Sequence, residues 1–304
     1  MKIIISGAGG FLGQILLNML TSRENYTSII ALDLRIDQIN ADSENPKIIL
    51  YSNEEFLRTK LDLNDYILIN LAYARSSDFD LVKSSCEWTF ALLEKLRKDG
   101  VKKYINISSQ SIYDRHRKSP AIETDLPVLN ELYDMGKYYL ENWIREFSFK
   151  HDSLFLNLRL SSLVGPNFPQ RIIPRLIKRA FEDNLISINL NGQIFSYTHV
   201  NDIAQAIVMA AEMENDNDWN KAYNVGSEEK YTIEKIASHI ERNFIKNNLD
   251  LTIKRIISEA NNVNSSVDST LFRKATNWSE QYTLSDIIEE EFNNQLRKRD
   301  SSVV

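Results

Sequence analysis

A β-branched run that ends in a glycine turn and feeds straight into an amphipathic helix leaves a chain few folding options. Here Lys2-Ile3-Ile4-Ile5 is such a run, with isoleucine at three successive positions, as suits a strand buried in a parallel sheet. Gly7-Ala8-Gly9-Gly10-Phe11-Leu12-Gly13 follows it. Ile15, Leu16, Met19 and Leu20 then recur at helical spacing, and a second apolar run, Ser28-Ile29-Ile30-Ala31-Leu32, ends in Asp33.

Each part has a use if a dinucleotide binds at this turn. Gly7 permits the sharp exit from the strand, Gly10 lets the backbone approach a pyrophosphate, and Gly13 lets the helix pack close to the sheet. An anion is favoured at the helix N-terminus, where free N–H groups and the positive dipole end meet. Asp33, about twenty residues on at a strand end, is placed to accept hydrogen bonds from an adenosine ribose. Its charge repels a 2′-phosphate, which points to NAD; Arg35, two residues on, makes NADP the alternative.

The strand rhythm continues through Ile48–Tyr51, Tyr66–Leu71, Lys103–Ile107 and Leu154–Leu158. Helices are expected at Glu54–Leu61, Asp80–Lys98 and Tyr138–Phe149, and the polar stretch Leu34–Lys47 reads as loop. Strands alternating with helices at this spacing imply an α/β, doubly wound parallel sheet of Rossmann type. Ala72-Tyr73-Ala74 stand where a parallel strand would end beside a ligand. Beyond Gly165-Pro166 the rhythm changes, with helices expected at Ile172–Phe181, Val200–Met213, Thr232–Phe244 and Leu284–Leu296. Residues 1–164 therefore read as a dinucleotide-binding domain and 165–304 as a smaller C-terminal substrate lobe. The boundary is soft enough for the first unit to regain 195–225.

Composition excludes several classes. A net charge of −6 with no long run of one sign argues against nucleic acid as a partner. The apolar N-terminus is a strand rather than a signal peptide, no run approaches membrane-span length, and Cys86 stands alone, so a cytoplasmic protein is expected. His116, His151, His199 and His239 lie far apart without metal-ligand spacing, so no metal site is expected.

The candidate chemistry lies in the middle of the chain. The fifth strand runs into Ser108-Ser109-Gln110-Ser111, and Tyr133 and Lys137, four apart on one helix face, follow about 24 residues after Ser109. An ammonium beside a tyrosine favours the phenolate, so Lys137 would lower Tyr133 from its usual value near 10 toward working pH. Tyr133 could then exchange a proton with a sugar hydroxyl while Ser109 steadies the same oxygen.

These motifs, with Ile69-Asn70-Leu71-Ala72, Leu158-Arg159, Gly165-Pro166, His199-Val200-Asn201-Asp202-Ile203-Ala204 and Tyr223-Asn224-Val225-Gly226, resemble the extended short-chain dehydrogenase/reductase family, in its NAD-dependent sugar-nucleotide epimerase/dehydratase group. The resemblance covers nearly the whole chain. It implies Tyr133 as catalytic base, Lys137 as its partner and a cofactor-ribose ligand, and Ser109 as ligand of the substrate oxygen. It further implies Gly7, Gly10, Phe11, Leu12, Gly13, Asp33, Leu71 and Ala72 as cofactor contacts, Ser111 as a substrate contact, and an isologous homodimer. The expected activity is 4-epimerisation of a nucleotide sugar; reduction of a 4-keto sugar nucleotide is the runner-up, and a non-catalytic dinucleotide-binding protein the third reading. Dehydratases of the group carry Asp and Glu where this chain has Gln110 and Ser111, so dehydration is set aside. Family asparagines appear as Ser85 and Ser162, a diphosphate-binding arginine appears as Phe195, and a second has no clear match among Lys254, Arg255 and residues 258–266. Arg171 and Arg175, one turn apart, are candidates to replace those cations.

Overall fold

The opening run forms β1 (Lys2–Ser6), with Ile3, Ile4 and Ile5 fully buried in a seven-stranded sheet of this computed structural model. The structure describes residues 1–40, 45–166, 168, 171–259 and 262–301. Part of the expected 34–47 loop, and part of the 258–266 stretch, lie outside the described residues; a short 3-10 turn occupies Ile36–Gln38.

The chain continues through α1 (Phe11–Thr21), β2 (Ser28–Asp33), β3 (Ile48–Ser52), α2 (Asn53–Arg58), β4 (Tyr66–Asn70), α3 (Phe79–Lys98), β5 (Lys103–Ser109), α4 (Leu132–Lys150) and β6 (Leu154–Leu160). Then come β7 (Ser162–Val164), α5 (Ile172–Asp183), β8 (Leu185–Leu190), β9 (Tyr197–His199), α6 (Val200–Ala211) and β10 (Lys221–Val225). The last elements are α7 (Ile233–Lys246), β11 (Thr252–Ile257), α8 (Thr270–Thr276) and α9 (Leu284–Ser301).

Sheet order is β10-β6-β5-β4-β1-β2-β3 and every pairing in it is parallel. From β1 the sheet grows one way through β2 and β3 and the other way through β4, β5, β6 and β10. This leaves a crevice where the direction of winding reverses, between the carboxyl ends of β1 and β4. Leu12, Leu16, Leu20, Ile203 and Ile207 of α1 and α6 cover one face. On the other, Phe56, Leu92, Leu96, Ile144 and Phe147 of α2, α3 and α4 pack beneath Ile4, Leu68 and Tyr104. Parallel strands need this double cover, because both faces of each strand are apolar.

Two boundaries differ from expectation for physical reasons. Helix α4 starts at Leu132, so Tyr133–Lys137, expected to open the helix, form its first turn, where Glu131 and Asp134 make a capping box that satisfies the first N–H groups. Strand β6 extends to Leu160, since β5 on one side and β10 on the other supply partners through Ser109 and Val225. The chain does cross back: α6 packs on α1 and β10 completes the sheet beside β6. A separate core, built by Ile177, Ile186, Ile236, Phe244, Ile288 and Phe292, unites α5, α7 and α9 with the β8–β11 pair.

Candidate functional site

The glycine turn is held from both sides. The N–H groups of Gly7 and Ala8 donate to the Leu32 carbonyl at 2.9 and 3.0 Å. Gly7 has φ +83°, and a Cβ there would come within 2.8 Å of the Ala72 nitrogen; one on Gly13 would lie 2.2 Å from the Gly7 oxygen. A side chain at either position would push α1 or β4 away from the turn. Gly10 is the N-cap of α1, and among the described residues no side chain caps it. Asp33 ends β2; its carboxylate accepts from the Gly9 N–H at 2.9 Å and the Arg35 N–H at 3.2 Å.

A cleft of about 620 Å³ opens over this turn and runs along the ends of β1, β4, β5 and β6. Gly7, Gly10, Phe11, Leu12, Gly13, Leu71, Ser109, Ser111, Tyr133, Lys137 and Arg171 all line it. Ala72 backs onto Gly7, and Asp33 stands beside Gly9. Arg35 is exposed at the surface. Arg175 is exposed too: α5 buries Ile173, Leu176 and Ile177, which turns position 175 to solvent, whereas Arg171 at the N-cap reaches the cleft.

Ser109 is the last residue of β5. Its hydroxyl accepts the Ser111 N–H at 3.1 Å and lies 2.9 Å from the Ser111 hydroxyl. Tyr133 is half-buried in the first turn of α4. Burial pushes its phenol up; a hydrogen bond with Ser109 and the charges of Arg75 and Arg171 pull the other way. Lys137, one turn on, is 6% exposed and donates to the Ile107 carbonyl at 2.7 Å. Its ammonium also lies 4.2 Å from the centre of the Tyr73 ring. Burial lowers it to about 7, against the opposing pull of Glu141. Helical spacing thus brings Tyr133 and Lys137 to one cleft. Burial nonetheless wins, so the phenol stands above its ordinary value rather than being lowered by Lys137 as expected; the cations that oppose burial are guanidiniums, while the ammonium is turned to a strand carbonyl.

Several lining residues carry no sequence signal of their own. Tyr73 meets Tyr133 edge to face at 5.5 Å and donates to its carbonyl at 3.4 Å. Arg75 follows in the same segment, which the Ser85 hydroxyl anchors by accepting the Ala74 N–H at 3.0 Å. Phe168 stacks on Phe11 with ring centres 4.5 Å apart, bridging the turn to the segment before α5. Arg115 spans Glu131 at 2.8 Å and Asp134 at 3.4 Å. The signal available for Tyr73 and Arg75 was position, directly after Leu71-Ala72 at a parallel strand end.

Positions that depart from the family pattern have other occupations. Gln110 accepts from Arg117 at 2.9 Å, Ser162 lines the cleft, Phe195 is buried with its backbone paired to Tyr231, and Arg255 pairs with Glu234 at 2.9 Å. Among the described residues no group of His, Cys, Asp and Glu is arranged to hold a metal ion, and no helix is long and apolar enough to cross a membrane.

Comparison with known proteins agrees with this fold. Protein CapI of Staphylococcus aureus is 22% identical over 292 residues, spanning 83% of this chain and 87% of that protein. A UDP-glucuronic acid 4-epimerase from Bacillus cereus, solved with UDP-glucuronic acid and NAD, superimposes with a TM-score of 0.81 at 23% identity, covering 98% of this chain and 100% of that one. A dTDP-glucose 4,6-dehydratase from Bacillus anthracis, in complex with NAD, gives 0.78 at 16% identity, covering 99% and 98%. The family model described as NAD dependent epimerase/dehydratase matches residues 3–226, more than half of the sequence, and the chain belongs to that family.

Proposed function

We propose that this chain uses NAD to move a hydride at a carbon of a nucleotide sugar, as a nucleotide-sugar 4-epimerase. The observation that carries this reading is the convergence of Tyr133, Ser109 and Lys137 with the glycine turn on one cleft. The Bacillus cereus 4-epimerase, which shares the fold and holds both NAD and a nucleotide sugar, supports it.

The residues fit a dinucleotide: α1 presents an uncapped N-terminus, and a carboxylate stands at the end of the neighbouring strand. Gly7, Gly10, Phe11, Leu12 and Gly13 would hold the pyrophosphate, Asp33 the adenosine ribose, Lys137 the second ribose, with Leu71 and Ala72 alongside. Asp33 favours NAD over NADP, and the Arg35 side chain points to solvent. When bound, the nicotinamide supplies the hydride acceptor and donor. Tyr133 takes the proton of the sugar hydroxyl and returns it in the reverse sense, and Ser109 donates a hydrogen bond to that oxygen. Arg75 and Arg171 favour the phenolate and so offset part of the upward push of burial on Tyr133. Gln110 is engaged with Arg117 and Ser111 with Ser109, so neither supplies the acid–base pair that dehydration requires.

We assign residues 1–164 with 195–225 to the cofactor unit and the rest to a substrate lobe. A homodimer fits the outer face of α3 and α4, where Phe79, Leu81, Tyr139 and Trp143 are exposed and Phe90 packs against Tyr139 and Trp143.

The test supplies UDP-sugars without added cofactor and follows C4 epimers by anion-exchange chromatography. The purified protein is expected to retain NAD and interconvert epimers with no net NADH consumed. Tyr133→Phe should lower kcat at least about 100-fold with NAD still bound. Stoichiometric NADH consumption would identify a reductase instead, and unchanged turnover in the variant would remove Tyr133 from the reaction.

A further inference from the structure

Gly136 lies buried near the start of α4. A glycine inside a helix is less stable than alanine, so its place there needs a packing reason. A Cβ on Gly136 would come within 2.0 Å of the Tyr73 hydroxyl, 3.2 Å of Tyr73 Cζ and 2.9 Å of a Val82 methyl. The space an alanine methyl would take is therefore filled from outside the helix, by Tyr73 of the segment after β4 and Val82 of α3.

Tyr73 touches the reacting turn at three positions. Its ring meets the Tyr133 ring edge to face with centres 5.5 Å apart, and its hydroxyl donates to the Tyr133 carbonyl at 3.4 Å. The same hydroxyl sits over Gly136, and the Lys137 ammonium lies 4.2 Å from the ring centre. The backbone around Tyr73 is tied on both sides. The Leu71 N–H donates to the Ser6 carbonyl at 2.9 Å, and the Ala74 N–H to the Ser85 hydroxyl at 3.0 Å. Beyond it, the Ser77 hydroxyl donates to Glu131, the N-cap of α4, at 3.3 Å. Helical spacing places Tyr133 and Lys137 on one face but leaves each side chain free to turn between rotamers. A ring braced on β1 and α3 and touching both removes that freedom.

We propose that Tyr73 is a positioning residue for proton transfer: its ring holds the Tyr133 phenol and the Lys137 ammonium at a fixed separation and angle, and Gly136 is the notch that admits its hydroxyl. This rests on the reading above that Tyr133 exchanges the sugar proton. Tyr73 moves no proton itself. The aromatic contacts carry the role, an edge-to-face pair and an ammonium over a ring. The hydroxyl, with one long neutral hydrogen bond, contributes less. Misplacing a reacting group by about 1 Å costs about 100-fold in rate, so a loosened phenol should show in kcat and leave sugar binding alone.

The test measures kcat and KM for a UDP-sugar, with NAD at saturation, in wild type, Tyr73→Phe, Tyr73→Ala and Gly136→Ala. The full chain labelled with meta-fluorotyrosine gives a second readout, the fluorine resonance of Tyr133, identified by its loss in Tyr133→Phe. Tyr73→Ala should lower kcat about 10–100-fold with KM held, and displace the Tyr133 resonance toward that of free fluorotyrosine. Tyr73→Phe keeps the ring, so kcat should stay within about 5-fold and the resonance in place. Gly136→Ala should slow turnover as Tyr73→Ala does, although alanine is the better helix former, because its methyl expels the hydroxyl. It also keeps the test valid if Tyr73→Ala folds poorly. A kcat within about 3-fold of wild type in either variant overturns the proposal. So does a loss in KM alone, which would make Tyr73 a substrate contact, or a Tyr73→Phe as slow as Tyr73→Ala, which would give the role to the hydroxyl. A wild type without turnover on any UDP-sugar would sink the epimerase reading; the Tyr133 resonance then decides, and one unmoved by Tyr73→Ala overturns the positioning role as well.

Discussion

Glu141→Gln should be among the most damaging single substitutions away from the reacting groups. Glu141 on α4 receives Arg159 of β6 through Nε at 3.1 Å to both carboxylate oxygens and through Nη2 at 2.8 Å. The side chains are 4% and 10% exposed, and Arg159 also donates to the Tyr113 hydroxyl at 2.8 Å and the Glu123 carbonyl at 3.0 Å. Removing one charge of a buried pair strands the other and costs about 3–5 kcal/mol. An unfolding entropy of about 2.1 cal/mol/K per residue gives about 0.64 kcal/mol/K for 304 residues, so the loss in Tm is about 5–8 °C. Thermal melts by circular dichroism at pH 7.5 measure it. A double variant, Glu141→Leu with Arg159→Met, should recover more than half of the loss, because an apolar pair carries no stranded charge. The same Glu141 draws the Lys137 ammonium up, so Glu141→Gln should also shift the pH dependence set by that lysine downward. A Tm within about 1 °C of wild type, or a double variant less stable than the single one, would refute the reasoning.

Three further outcomes follow from the geometry. Gly13→Ala places a methyl 2.2 Å from the Gly7 oxygen, so it should destabilise by about 1–3 kcal/mol and release bound NAD, read by urea unfolding and by nucleotide analysis of the purified protein. Lys137 has a folded-state pKa of about 7, below its unfolded value of about 10.4. Between those values the unfolded chain binds the extra proton, so this group makes stability rise with pH by up to about 1.4 kcal/mol per unit, and Lys137→Met should flatten that rise in unfolding curves at pH 7 to 10. Trp143→Arg on the exposed aromatic face should convert a dimer to monomers in size-exclusion chromatography with light scattering; an unchanged mass would move the interface elsewhere.

The glycine-turn half of the candidate site was legible because its signals are local. A strand, a turn that tolerates no Cβ, a helix and an acid at the next strand end follow one another within 33 residues, and each is dictated by backbone geometry. The serine at the end of β5 and the Tyr133–Lys137 spacing were legible for the same reason. The cap of α4 was obscured because the capping acids Glu131 and Asp134 depart from the usual serine–glutamate pair. Arg75 carried only its position after a parallel strand end: a loop arginine has no periodicity, and only the fold brings it to the cleft that Arg171 also lines. Helical spacing put Lys137 next to Tyr133 but could not tell that a buried ammonium would be taken up by the Ile107 carbonyl. The β8–β11 pair was obscured by its mixed exposure, since β11 shows almost no buried face.

The return of the chain to add β10 beside β6 has a consequence in time. Synthesis from the N-terminus at about 5–20 residues per second leaves about 3–12 s between the appearance of Leu160 and that of Lys221. Throughout that interval β6, whose residues 155–160 end fully buried, presents an unpaired apolar edge. The elements made meanwhile, α5 through α6, must fold without closing that edge, and α6 must find α1 across almost 200 positions of chain. Such distant contacts are slow to form. A nascent chain stalled after residue 164 would leave that edge open and would not be a finished domain, which makes this protein a poor donor for lobe swapping.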